Sequence, residues 1–80
     1  MLVEDHPGYR EVITRALKGQ ADMEITSQFG TAEIALRGLE SASVQDTPDL
    51  VLLDLNLPGM SGLDAIPWFR KYAPNIKIIN

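Results

Sequence analysis

The chain has no cysteine, one histidine, one tryptophan and only seven Lys and Arg in eighty residues, and each shortage excludes something. Without cysteine there is neither a disulfide framework nor a thiolate metal site, which fits a reducing compartment and makes the cytoplasm the simplest location. A single histidine leaves too few nitrogen ligands for a zinc centre. The basic residues are dispersed and the net charge is -4, so this segment does not by itself suit nucleic acid or an anionic membrane. No apolar run approaches the roughly 18 residues of a membrane-crossing helix. The start, Met1-Leu2-Val3-Glu4-Asp5, does not read as a signal peptide. What is present, 45% hydrophobic and 22% charged residues, is the composition of a folded domain. One domain is the most that such a length holds, and it buries little more than about 60% of its unfolded surface, so the stability margin is thin.

Hydrophobic periodicity divides the chain into alternating strands and helices. Met1-Leu2-Val3 stops at Glu4-Asp5 and reads as the end of a first strand. Pro7 suits the first turn of a helix running to Lys18 or Gly19, with Val12, Ile13, Ala16 and Leu17 on one face. Met23 to Phe29 alternates apolar and polar residues, as in a half-buried edge strand. Thr31 caps a second helix with an expected face of Ile34, Ala35, Leu36 and Leu39. Leu50-Val51-Leu52-Leu53 is a continuous aliphatic run that ends on Asp54, the pattern of a strand buried on both faces. A turn over Pro58-Gly59-Met60-Ser61-Gly62 follows, then a third helix capped by Ser61, in which Pro67 predicts a kink or a restart. Ile76 to Ile79 opens a fourth strand.

The order β-α-β-α-β-α-β without a hairpin signal calls for an α/β fold with a parallel sheet and right-handed crossovers. In the flavodoxin-like (CheY-like) doubly wound arrangement the strand order is 2-1-3-4, and strands one and three lie side by side where the winding reverses. Glu4, Asp5 and Asp54 then converge on one rim of the sheet. Two such charges about 4 Å apart repel by roughly 4 kcal/mol at an effective dielectric of about 20, so the cluster wants a counter-cation. Oxygen-only donors favour a hard ion, and Mg2+ in particular takes one or two carboxylates plus phosphate oxygens. With the charge offset, Asp54 is a candidate nucleophile toward a phosphoryl group, Glu4 and Asp5 are metal ligands beside Asp54, and the backbone carbonyl of Asn56 completes the shell. His6 reads as a residue that shapes the start of the first helix.

The strings Leu2-Val3-Glu4-Asp5-His6-Pro7 and Pro48-Asp49-Leu50-Val51-Leu52-Leu53-Asp54-Leu55-Asn56-Leu57-Pro58-Gly59-Met60-Ser61-Gly62 resemble the receiver domain of two-component response regulators. Within that family they are similar to the branch whose receivers precede a LuxR-type (LuxR/FixJ) helix-turn-helix domain. The resemblance covers nearly the whole chain. It implies a phosphoryl group accepted on Asp54 from a sensor histidine kinase, Mg2+ at the acidic pair, and a switched face that alters homodimerisation or output. DNA is reached only through a separate output domain. Residues 1–80 read as a partial receiver, from the first strand to the start of the fourth. The family's switch Ser/Thr and its late Lys have no counterpart here, and Glu4 stands where an Asp is common. Two other readings remain at this point: a phosphate-independent interaction or decoy module, and a Mg2+-dependent phosphatase of the haloacid dehalogenase type. The latter wants a second acid where this chain has Asn56.

Overall fold

The side chains of Leu2, Val3, Val51 and Leu53 are each 2% exposed or less, and they lie on two strands placed side by side. A computed structural model describes residues 1–80. It consists of β1 (Leu2–Val3), α1 (Pro7–Lys18), β2 (Gln28–Phe29), α2 (Ala32–Ser41), β3 (Leu50–Leu53), α3 (Gly62–Tyr72) and β4 (Lys77–Ile79). The four strands form one parallel sheet in the order β2-β1-β3-β4, the α/β arrangement expected from the alternation of elements. Leu2 pairs with Leu52 and Val3 with Leu53. The ladder continues one residue further, where the Asp54 N–H donates to the Val3 carbonyl at 3.0 Å.

Each helix starts on a side-chain cap that satisfies free N–H groups of its first turn. His6 Nδ1 accepts from the N–H groups of Gly8 and Tyr9 at 3.1 and 3.3 Å. Thr31 Oγ1 accepts from Ile34 at 3.2 Å, and Ser61 Oγ accepts from Asp64 at 3.1 Å. His6 thus has the helix-shaping role its position before Pro7 indicated.

The two faces of the sheet are covered unequally. On one face Val3, Val51 and Leu53 join Ala32, Ala35, Leu36 and Leu39 of α2 and Ala65 and Phe69 of α3 in a single apolar cluster. Phe69, fully buried, is the largest side chain of that cluster. Successive strand residues point to opposite faces, so Leu2, Leu50 and Leu52 face α1. There Leu50 and Leu52 are only half-buried, and α1 itself has no buried residue. An open cleft of about 550 Å³ lies on this side, and Leu17, Met23, Ile25, Leu50 and Leu52 are among its lining residues. The expectation that β3 is dry on both faces therefore holds for one face.

Three other local expectations are corrected. The second strand is Gln28–Phe29 and not Met23 to Phe29. Its only neighbour, β1, is two residues long, so there is little backbone for a longer ladder to pair with. Ile34 is 50% exposed, because the stripe buried by α2 is Ala32, Ala35, Leu36 and Leu39 at i, i+3, i+4, i+7, and Ile34 points away from it. Of the two outcomes expected at Pro67, the restart is excluded, because α3 runs unbroken from Gly62 to Tyr72. Leu63 and Pro67 both sit on the exposed side, where a carbonyl that has lost its intrahelical donor can be hydrated.

Unequal cover predicts unequal sensitivity. Leu53→Ala should lower the unfolding free energy by about 2–5 kcal/mol, as for other buried leucines. Val12→Ala, at a site 64% exposed, should change it by less than about 0.5 kcal/mol. Urea denaturation of the two variants checks both, and equal losses would contradict the one-sided core.

Candidate functional site

The site follows from the strand register. Glu4 and Asp5 come directly after β1, Asp54 directly after β3, and pairing of Val3 with Leu53 brings both strand ends to the same rim. A carboxylate oxygen of each of Glu4, Asp5 and Asp54 lies within 4.8 Å of those of the other two. At that separation two unit charges repel by about 3 kcal/mol at an effective dielectric of about 20, less where Asp5 reaches solvent. Positions 4, 5 and 54 thus come together on one rim of the sheet.

Backbone donors orient two of the three acids. The His6 N–H donates to Glu4 Oε2 at 3.2 Å, and the Asn56 N–H donates to Asp54 Oδ1 at 3.0 Å. Glu4 is 8% exposed, Asp54 is half-buried and Asp5 is exposed. Burial holds the Glu4 carboxyl above the ordinary glutamate range, and the neighbouring Asp54 and Asp5 push it further up, against the opposing pull of the His6 N–H. No basic side chain relieves the cluster: the one ion pair of the chain joins Arg15 to Glu11 within α1. Three oxygen donors with excess negative charge and no sulfur or imidazole fit a hard divalent cation such as Mg2+.

The turn after β3 packs tightly against Asp54. The Gly62 N–H returns to the Leu55 carbonyl at 3.1 Å, and a Cβ on Gly62 would overlap the Asp54 carbonyl. Gly62 is therefore a close-approach glycine, which the sequence reading had taken only as turn geometry. Gly59 has a φ of 72°, the left-handed conformation that glycine adopts without strain. Leu57 is buried and anchors the middle of the turn. Asn56 is exposed, and its carbonyl accepts no hydrogen bond within the chain.

One residue beside the site escaped the sequence reading. Glu33, in the first turn of α2, accepts the Met60 N–H through Oε2 at 3.2 Å. Their separation of 27 residues leaves no local spacing from which the contact could be read.

A comparison with protein families matches the response regulator receiver domain over residues 1–80. The chain belongs to that family. Among curated relatives it is 35% identical over 79 residues to a protein-glutamate methylesterase/protein-glutamine glutaminase of Paramagnetospirillum magneticum, covering 99% of this chain and 20% of the relative. It is 33% identical over 79 residues to the nitrate/nitrite response regulator NarL of Escherichia coli, covering 99% of this chain and 35% of that protein. Among solved structures, the response regulator TrrA of Thermotoga maritima in complex with Mg(2+)-BeF superposes with a TM-score of 0.80 at 34% identity, over 96% of this chain and 62% of TrrA. TrrA in complex with the histidine kinase ThkA matches with a TM-score of 0.74 at 32% identity, over 96% of this chain and 61% of TrrA. The chain thus spans about a fifth to a third of the curated relatives. No helix is long and apolar enough to cross a membrane.

The raised Glu4 carboxyl gives a pH signature. The folded, metal-free chain holds that proton to higher pH than the unfolded chain does, so Glu4 costs stability as pH rises from the ordinary glutamate range through the raised value. In EDTA, Glu4→Gln should be more stable than the unsubstituted chain above that window and should lose its advantage below it. Saturating Mg2+ should stabilise the unsubstituted chain by about 2.7 kcal/mol at a hundredfold excess over Kd, and the Gln variant by less. Thermal unfolding across pH measures this; an unsubstituted chain that gains on the variant as pH rises would contradict the clustering.

Proposed function

We propose that this receiver domain accepts a phosphoryl group on Asp54 from the phosphohistidine of a sensor histidine kinase, and that the modification switches an output, namely transcription. The observation that carries this reading is the meeting of the Glu4, Asp5 and Asp54 carboxylates within 4.8 Å at the β1 and β3 strand ends. Glu4, Asp5, Asp54 and the carbonyl of Asn56 would hold Mg2+, and the free state of that carbonyl supports its inclusion. When bound, the cation offsets the repulsion between the acidic rim and an incoming phosphoryl group.

The chain's own residues do the rest. The Asn56 N–H fixes Asp54 Oδ1 and so sets the direction of the carboxylate, leaving the second oxygen without a backbone donor. An Asp54 oxygen attacks phosphorus as the bond from phosphorus to the imidazole nitrogen breaks, and the departing imidazole keeps or regains its proton from solvent. Position helps: Asp54 lies at the mouth of the rim and is half-buried, open to a phosphorylated side chain on another protein. TrrA has been solved with the kinase ThkA, and the likeness to it supports a kinase as the partner here. The likeness to the transcriptional regulatory protein MctR of Rhizobium johnstonii, 34% identical over 79 residues, supports a transcriptional output. Lack of cysteine fits action in the cytoplasm.

The test is intact-mass measurement after incubation with acetyl phosphate and Mg2+. The unsubstituted chain should gain one phosphoryl group, and Asp54→Asn, or the addition of EDTA, should abolish the gain. Absence of any gain both in these eighty residues and in a chain extended through the rest of the receiver fold would contradict the reading in favour of a phosphate-independent interaction module. Sustained turnover of small phosphate esters would contradict it in favour of a phosphatase.

A further inference from the structure

The turn between β3 and α3 is pinned from outside by one side chain. Glu33 Oε2 accepts the Met60 N–H at 3.2 Å, the side-chain hydrogen bond with the widest sequence separation in the chain. A second observation points to the same fit. Gly59, at φ 72°, lies directly under the Glu33 carboxylate, and a Cβ at that position would collide with it. The same carboxylate thus lies against the left-handed glycine as well as on the Met60 N–H. Glu33 is not among the acids that cluster with Asp54, and it makes no ion pair, so its contact with the turn is its one specific engagement.

The rest of the turn shows why this matters. Its two ends are fixed on Asp54 itself, by the Asn56 N–H on Oδ1 and by Gly62 against the carbonyl. Between them Leu57 is buried, whereas Pro58 and Gly59 are exposed and have no other partner from a distant element. The Asn56 carbonyl accepts nothing within the chain, so its direction is set only by the conformation of this turn.

We propose that Glu33 is a positioning residue for the Asp54 site: by holding the Met60 N–H it fixes the turn that carries Asn56, whose carbonyl would help to hold the cation. This rests on the phosphoacceptor reading above and deepens it. Partners that orient a metal's ligands without touching the ion are worth about 10–100-fold in metal affinity or activity.

The experiment is a Mg2+ titration of phosphorylation by acetyl phosphate in the unsubstituted chain, Glu33→Ala and Glu33→Gln, with amide hydrogen exchange at Met60 and circular dichroism as a check of folding. Glu33→Ala should raise the half-saturating Mg2+ concentration by roughly tenfold, leave the maximal rate unchanged and speed exchange at Met60. Glu33→Gln keeps an acceptor oxygen and should stay close to the unsubstituted chain in all three. If Glu33→Ala does not fold, Glu33→Asp, one methylene too short to reach Met60, carries the same expectation. A titration of the Ala or Asp variant that overlies the unsubstituted one overturns the proposal, as does an equal shift in Gln and Ala, which would mean that charge and not the hydrogen bond acts. An unsubstituted chain that gains no phosphoryl group, either as these eighty residues or extended through the rest of the receiver fold, overturns the parent reading and this one together; phosphorylation with no shift at Glu33 overturns this one alone.

Discussion

Three carboxylates that repel one another are held together because a parallel strand pair leaves them no alternative. The pairing of Leu2 with Leu52 and Val3 with Leu53 fixes where both strands end, and the side chains that enforce it are among the most buried in the chain. A slip of one residue between these strands would turn either Val3 or Leu53 out of the core and separate Glu4 from Asp54. Hydrophobic burial on one face of the sheet thus supplies the free energy that keeps an unfavourable charge cluster assembled. A divalent cation bound there would turn that repulsion into affinity.

The arrangement divides labour between stiff and soft parts. The strands and the α2 and α3 face carry the apolar cluster, while Asp54 and Asn56 sit where β3 gives way to a turn. That turn is constrained residue by residue: Leu57 in the core, Gly62 against the Asp54 carbonyl, Gly59 in a left-handed conformation beneath Glu33. Glycine at 59 and 62 is a geometric requirement at both positions, for backbone conformation at one and for close approach at the other. By contrast α1 rests lightly on the sheet, and its strongest local device is the His6 cap.

Much of this was legible before any coordinates. An aliphatic run closing on Asp54, a shorter one closing on Glu4-Asp5, and helices between strands are enough to place the acids on one rim, because parallel sheets bring strand ends together. Thr31 and Ser61 were readable as caps from their position before apolar periodic stretches. What escaped has a common cause, namely contacts set by tertiary neighbours. The length of β2 depends on how much of β1 is there to pair with, and the orientation of Ile34 depends on which stripe of α2 meets α3. Continuity of α3 through Pro67 depends on which side of the helix faces water. Glu33 on Met60 joins residues that no periodicity links.

The central claim is that the acids at the ends of β1 and β3 form one cation pocket. Mn2+ in place of Mg2+ tests it directly, because a paramagnetic ion broadens only nearby amide resonances. Substoichiometric Mn2+ should broaden Glu4, Asp5, Asp54, Leu55 and Asn56 together and leave the amides of Asp22, Asp46 and Asp49, which line the cleft on the α1 side, sharp. Broadening at those cleft acids, or at only one of the two strand ends, would contradict it.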